Sequence, residues 1–428
     1  MLDMKWIKQN HERVQTAANH KGIDLSIAEL MERDEEKKRF LQETEALRET
    51  RNKLSYHIGT LVKQGAHADA ELTKGQVKEI NERLSVVEAE LAAAEREVMK
   101  LLALVPNVVS PDTPFGRSDA DNVEIKRVGE ATHFGFEQKD HMALGELHDL
   151  IDTQRGVKAA GTRNYYLKGA GVLLHRAVQQ LAIDLLMQKG FTLLEVPLMV
   201  RTDAMRNTGF FPLGEDQTYQ LTEADKWLVG TSEVPMVTYY ANEIVNAEHP
   251  IKLAAASVCF RSEVGSAGRD VHGLYRVHQF AKVEQVILCK ADPELSEAIL
   301  QEITANAEEL LQCLELPYRI MAVCTGDMSQ KTYKQYDIET WMPSRGAYGE
   351  THSSSNLHDF QARRSNIRYR DEAGVLKYCH TLNNTAVASP RILIPLLENH
   401  QEEDGSIRIP AALQPYMNGL TRLAVMDE

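Results

Sequence analysis

Val77, Ile80, Leu84, Val87, Leu91, Ala94, Val98 and Leu101 alternate spacings of three and four without a break. That is a heptad seam, one apolar stripe running along a helix. On the preceding segment Phe40, Leu47, Leu54 and Leu61 lie seven apart, with Ile58 between them. Gln64–Ala70 separates the two seams with Gly65 and small polar residues. Almost no proline and little glycine interrupt residues 27–103. The pattern predicts two long antiparallel helices joined by a short turn, each roughly 45–57 Å long at 1.5 Å per residue. Periodicity alone shows a rod, and such rods commonly serve as dimerisation elements or spacers.

Pro106, Pro111 and Pro114 end the rod and mark a linker. The pattern then changes. Helical periodicity returns at Gly171–Gly190, Glu294–Cys313 and Pro390–His400. Alternating apolar residues predict strands at Phe191–Val200, Lys226–Val229, Lys252–Cys259, Arg276–Cys289 and Arg319–Cys324. Strand and helix do not alternate regularly. The expected fold is therefore α+β: a helical hairpin over residues 1–112, then a domain over 113–428 with a mainly antiparallel sheet flanked by helices.

Charge modifies this picture. The chain carries a formal net charge of −14, which argues against non-specific nucleic-acid binding. It leaves open an RNA that is read by shape at a few sites. The distal third of the hairpin is basic, with Arg48, Arg51, Lys53, Lys63, Lys74 and Lys78 against few acids. Cys259, Cys289, Cys313, Cys324 and Cys379 are scattered without metal spacing, so no zinc is expected and reduced thiols are. Met1–Asn10 lacks the apolar core of a signal peptide, and no apolar run approaches a membrane span. A cytoplasmic protein without membrane contact is expected.

The chemistry concentrates between Cys259 and Glu284. This stretch reads strand, glycine-punctuated turn (Val264–Gly273), strand. Arg261 and Glu263, two apart, are expected to share a strand face; Phe280 and Glu284, four apart, are expected to do so on the returning arm. A guanidinium forks around a carboxylate or phosphate, an aromatic ring stacks on a base, and a carboxylate accepts from an amine. One hairpin thus offers contacts for a nucleotide and a small zwitterion, although a surface hairpin with solvated charges has the same spacing. Thr231-Ser232-Glu233 reads as a helix start, Thr231 capping and Glu233 in the first turn. Glu233 also suits an ammonium group. No P-loop or GxGxxG is present.

The run Cys259-Phe260-Arg261-Ser262-Glu263-Val264-Gly265 through Arg276-Val277-His278-Gln279-Phe280-Ala281-Lys282-Val283-Glu284 closely resembles motif 2 of class II aminoacyl-tRNA synthetases, in the form found in bacterial seryl-tRNA synthetases. Gly190–Met199 resembles motif 1, which lies at the dimer interface of that class. Glu350-Thr351-His352-Ser353-Ser354-Ser355-Asn356 and Asp359–Arg370, the latter with two arginine pairs on an expected strand, resemble further seryl elements. His380-Thr381-Leu382-Asn383-Asn384-Thr385 through Pro390-Arg391 to Gln401 resembles motif 3.

The resemblance implies activation of L-serine by ATP with Mg²⁺, then transfer to tRNA(Ser); the family also serylates the selenocysteine tRNA where one exists. It implies that Arg261, Arg391 and Glu350 are catalytic. Arg261 would hold the α-phosphate and the serine carboxylate. Thr231, Ser232, Glu233, Glu284, Asn383 and Thr385 would complete the serine site. ATP would meet Arg261, Ser262, Glu263, Val277, Phe280, Glu350, Thr351, His352, Ser353 and Arg391, with adenine stacked on Phe280 and Arg391 gripping the γ-phosphate. Glu350 and Ser353 would hold Mg²⁺, with His352 supporting the nucleotide contacts. The hairpin would be the tRNA-binding arm, and the enzyme a homodimer. Here Asn384-Thr385 and Pro390 stand where the common bacterial form has a Gly-Ser pair and a Gly. Thr385 keeps the hydroxyl, and Pro390 suits a first helical turn. No separate editing domain is evident. Alanine would be rejected by unpaired site groups and threonine by pocket size.

Two rivals stand beside this reading. An amino-acid-activating enzyme that loads a carrier protein would lack the arm. A catalytically dead paralogue would lose Arg261, Glu284, Glu350 or Arg391, and all four are present. A specialised second copy would look the same as a housekeeping enzyme.

Overall fold

The computed structural model describes residues 2–264 and 272–425. Most of the expected turn at Val264–Gly273, residues 265–271, lies outside the described residues. The chain forms two compact units. Leu2–Asn19 with Ile23–Val105 make one, and His20–Gly22 with the chain from Pro106 onward make the other.

The first unit holds α1 (Met4–Gln9), α2 (His11–His20), α3 (Ile27–Lys63) and α4 (His67–Leu104). Ser26 caps α3, its hydroxyl accepting from the Glu29 amide at 3.2 Å. The turn is shorter than expected. It spans residues 64–66, with Gly65 at a φ of +75°, a conformation that costs glycine little. The seam of α4 is buried at Leu84, Val87, Ala94 and Val98, and it ends on Leu102, with Leu101 half-buried. Arg48–Glu88 and Arg83–Glu43, each 2.6 Å, bridge the helices in antiparallel register. Both pairs are exposed and add little stability. The basic tip is partly neutralised. Lys53 pairs with Glu49 and Lys74 with Glu71, besides Arg48 with Glu88. Arg51, Lys63 and Lys78 make no ion pair among the described residues.

In the second unit eight strands form one sheet. They are β1 (Val123–Val128), β2 (Thr192–Leu193), β3 (Ile251–Phe260), β4 (Gln279–Cys289), β5 (Tyr318–Ala322), β6 (Lys334–Met342), β7 (Ala347–Asn356) and β8 (His380–Ser389). Their order is β1-β5-β6-β7-β8-β4-β3-β2. All neighbours run antiparallel except β2 against β3. Helices that flank the sheet include α5 (Ala170–Gln188), α6 (Glu233–Thr238), α7 (Pro293–Cys313) and α8 (Phe360–Ser365). Alternation along β4 divides the sheet's two faces. Val283, Ile287 and Cys289 join Leu174, Val178 and Leu181 of α5 and Ile299, Ile303 and Leu310 of α7 in the main core. Val286 and Leu288 pack instead with Met236 and Val237 of α6 and Ala362 of α8. Phe280, Lys282 and Glu284 share the parity of that second face.

Three local expectations change. Phe191–Val200 is not one strand: only Thr192–Leu193 and Met199–Val200 pair, and Pro197 between them has no N–H to give a ladder. Arg363 and Arg364 are on α8; Asn366, left-handed at φ 55°, ends that helix, and only Arg368–Arg370 is strand. The helix after Arg391, α9 (Leu393–Asn399), starts beyond Pro390, which follows a cis Ser389–Pro390 peptide and so is not in its first turn.

Thr44 occupies a heptad position between Phe40 and Leu47, fully buried, and its hydroxyl has no partner among the described residues. Thr44→Val should stabilise the rod by about 1–2 kcal/mol by removing an unpaired buried hydroxyl. In the full chain, amide exchange across α3 and α4 should slow by roughly 5–30-fold. Unchanged or faster exchange would show that the hydroxyl is solvated.

Candidate active site

One cleft of about 520 Å³ opens on this second face, lined among others by Arg261, Val277, Phe280, Glu350, Ser353 and Arg391. Glu263, Thr351, His352 and Thr385 also line it, together with Tyr275 and Lys282. Ten of the residues expected at the site therefore meet in a single cavity, though they come from four separate stretches of chain.

Two bulges aim them. In β7, Ile338 faces His352 and Glu339 faces Glu350, so Thr351 is an extra residue. Glu350 and Ser353, three apart, would face opposite sides of a regular strand; one inserted residue returns them to the same side. In β8, Val283 faces Val387 and Glu284 faces Thr385, leaving Ala386 extra. This sets Thr385 beside Glu284, its hydroxyl donating to Oε2 at 3.3 Å.

At one end of the cleft the Arg261 guanidinium stands 5.3 Å from the Phe280 ring centroid. Glu263 sits at a φ of 51° and pairs with Arg276 at 3.1 Å. At the other end Arg391 donates from Nε to the Tyr275 carbonyl at 3.0 Å and from Nη1 to the Glu350 carbonyl at 3.1 Å. The guanidinium carbons of Arg391 and Arg345 each lie 4.4 Å from the Tyr275 ring centroid. Leu274, next to Tyr275, donates its amide to His141 Nε2 at 3.3 Å, and His141 Nδ1 meets buried Glu398 at 2.9 Å. The far arm of the hairpin is thus anchored from behind.

Carboxylates gather under Glu350. Burial first, and then the Glu350 charge, hold the Asp337 carboxyl well above the usual range. Gln335 donates to both Asp337 at 2.9 Å and Ser353 at 3.2 Å. His352 sits beside them, its Nδ1 2.8 Å from the Thr351 hydroxyl. Burial pushes His352 down to about 3, which keeps it neutral near pH 7.

The other expected residues lie behind the lining. Glu284, buried, pairs with Lys282 at 2.6 Å. Burial raises the Glu284 carboxyl, and Lys282 opposes that shift. Glu233 opens α6, its amide 3.2 Å from the Thr231 hydroxyl, and Asn383 donates to its Oε1 at 3.0 Å. Ser232 Oγ is buried without a partner among the described residues. Ser262 is turned away: its hydroxyl donates to the Asp216 carbonyl at 2.7 Å, and it does not line the cleft. Asn384 also faces away. It accepts from Gln285 at 2.5 Å and donates to Ser354 at 2.7 Å, joining β4, β7 and β8.

Several residues were not anticipated. Lys282 had a signal, since it shares a strand face with Glu284. Gln361 had one too, since it lies in the Asp359–Arg370 element, whereas Tyr275, Arg345 and Lys331 had none, because only the folded chain brings them to the site.

Residues 218–400 match the tRNA synthetase class II core domain (G, H, P, S and T). The prolyl-tRNA synthetase of Giardia lamblia, 14% identical with a TM-score of 0.56 over 64% of this chain and 55% of that one, shares the fold. Sheet, cleft and paired arginines thus define a class II aminoacyl-tRNA synthetase core.

Residues 1–109 match the seryl-tRNA synthetase N-terminal domain. The Serine--tRNA ligase of Deinococcus radiodurans is 44% identical over 420 residues, 98% of each chain. That of Brucella abortus is 41% identical over 426 residues, 99% of each. The seryl-tRNA synthetase of Pyrococcus horikoshii, solved in complex with ATP, superposes with a TM-score of 0.89 at 37% identity over all of both chains. The chain belongs to the seryl-tRNA synthetase family.

Proposed function

We propose that this chain activates L-serine with ATP and transfers it to tRNA(Ser). The observation that carries this reading is one cleft with Arg261 over Phe280 at one end, Arg391 beside Glu350 at the other, and the half-buried Glu284–Thr385 contact between strands β4 and β8. Phe280 offers a stacking face for adenine and Glu263 an acceptor for its amino group. Arg261 holds the α-phosphate and the serine carboxylate, while Arg391 holds the γ-phosphate. A serine carboxylate oxygen attacks the α-phosphorus and pyrophosphate leaves. Arg261 and Arg391 stabilise the charge spread over the transferring group, and alignment does most of the rest. A hydroxyl of the tRNA's terminal ribose then attacks the seryl carbonyl, and AMP leaves.

Glu284 and Thr385 read the serine hydroxyl, with Thr231, Ser232, Glu233 and Asn383 completing the amino-acid site. The carboxylates of Glu350 and the buried Asp337 beneath it suit a divalent cation. Glu350 and Ser353 would hold Mg²⁺, which supplies charge neutralisation for the phosphates. Residues 1–112 serve as the tRNA-binding arm and 113–428 as the catalytic domain. The match over residues 1–109 speaks against a carrier-loading relative. No described helix is long and apolar enough to cross a membrane, and the cysteines are free. Both features suit work in a reducing cytoplasm, which cell fractionation checks.

The direct test is serine-dependent ATP–pyrophosphate exchange followed by charging of tRNA(Ser). Arg261→Ala should lower the exchange rate roughly a hundredfold or more, because it removes a forked cation from the transition state. Near-normal exchange by a folded variant would sink the assignment.

The arm is read through the tip cations that no acid neutralises. Replacing Arg51, Lys63 and Lys78 together by Gln should weaken tRNA(Ser) binding at least about tenfold and make its salt dependence shallower by roughly two to three in log–log slope. Exchange, which needs no tRNA, should keep its rate. Unchanged tRNA affinity at low salt would show that RNA meets another surface.

The active form is a homodimer through the catalytic domain. Leu193 and Met199, 42% and 51% exposed, lie in Gly190–Met199, the stretch that resembles motif 1, and Met187, 55% exposed, precedes it on α5. Exposed apolar residues on one segment suit a two-fold interface. Sedimentation of the full chain at micromolar concentration should give twice the monomer mass. A monomer there would overturn this.

A further inference from the structure

Lys331 lies in the loop between β5 and β6, outside every motif that marks the site. Its side chain is buried, and Nζ stands 2.5 Å from Glu233 Oε1 and 3.9 Å from the Phe210 ring centroid. The same oxygen receives Gln361 Nε2 at 2.7 Å and Asn383 Nδ2 at 3.0 Å. Three donors therefore converge on Oε1. Oε2 receives no hydrogen bond among the described residues. A buried ion pair is weak evidence for stability, since desolvating two charges costs as much as their attraction returns. A lysine kept here calls for another account.

The loop is built to hold that amine in place. Lys21 Nζ donates to the carbonyls of Ser329 at 3.1 Å, Gln330 at 3.3 Å and Thr332 at 2.6 Å. Asn107 donates to the carbonyls of Gln330 at 2.9 Å, through its amide, and Lys331 at 3.1 Å, through its side chain. Four consecutive carbonyls are thus satisfied from one side, while the Lys331 side chain reaches Glu233. The charged neighbours of the pair are Glu284 and Lys282 on β4, themselves paired at 2.6 Å. The array holds two carboxylates and two ammonium groups. Such a neutral array takes in a zwitterion without burying net charge.

We propose that Lys331 is a positioning residue of the amino-acid site, which fixes Glu233 through Oε1 and leaves Oε2 as the acceptor for the ammonium of a zwitterionic α-amino acid. This rests on the reading of the cleft as a serine-activating site. It adds a specificity element from a loop that carries none of the recognised motifs. Burial pushes the Lys331 ammonium below the usual lysine range, and the Glu233 carboxylate opposes the shift.

The test compares Lys331→Met with the unaltered enzyme in pyrophosphate exchange. The variant should raise the KM for serine about 30-fold, with the KM for ATP within about twofold, because only the amino-acid end loses a counter-ion. Without that ammonium, a buried carboxylate takes up a proton more readily. The ratio of variant to unaltered KM for serine should therefore climb as pH falls from about 8 to about 6. A serine KM within about threefold of normal, an equal rise for ATP, or a ratio that is flat with pH would each overturn the proposal. If circular dichroism shows Lys331→Met unfolded, Lys331→Gln, which keeps a donor but no charge, is read by the same criteria. Absence of serine-dependent exchange in the unaltered enzyme would instead count against the functional reading itself.

Discussion

Burying two carboxylates within reach of one another is the constraint around which this site is built. Glu233 and Glu284 are both nearly inaccessible to water. Left alone, one of them would take a proton. Lys331 and Lys282 each supply a counter-ion, at 2.5 Å from Glu233 and 2.6 Å from Glu284. Gln361 and Asn383 then fix which oxygen of Glu233 is used. On the proposed reading, the amine of an amino acid enters an array whose formal charges already balance, so recognition rests on geometry more than on net attraction.

The sheet makes that geometry affordable. A strand offers every second residue to one face, and β4 uses this to present Phe280 and Lys282 to the cleft, with Glu284 behind them, while Val283 and Ile287 seal the core. Strict alternation would misdirect Ser353 relative to Glu350. The bulge at Thr351 corrects this, and a second bulge at Ala386 sets Thr385 against Glu284. The hairpin's far arm is held at Tyr275 by Arg391 and at Leu274 by His141, which Glu398 supports in turn, so that end of the cleft rests on packed side chains. Rigid support of this kind lets a site work by alignment.

The rod obeys a different rule. Its helices bury one stripe and leave the remainder in water, so its surface charges are free to serve another purpose. Several of them neutralise one another across or along the helices. The cations left unmatched, Arg51, Lys63 and Lys78, are a more selective set than a count of basic residues near the turn suggests.

The heptads of α3 and α4 were legible to within a residue or two, because a seam of that length has one periodic solution. Phe280 and Glu284 share a face of β4, as strand alternation required, whereas Arg261 and Glu263 lie beyond the end of β3 at Phe260, with Glu263 left-handed at φ 51°, so the shared strand face expected for that pair does not form. Composition and spacing could not show that Arg363 and Arg364 are helical, that Ser262 faces the Asp216 carbonyl, or that Asn384 ties three strands together from the far side. Each of those depends on a neighbour remote in sequence. Lys331 is the clearest case: its partner Glu233 lies 98 positions away, and Lys21, which helps to hold its loop, more than 300. Local pattern determined most of the elements and which groups were candidates for the site. Tertiary structure alone decided which buried charges meet, because a counter-ion is selected by distance through space and leaves no period along the chain.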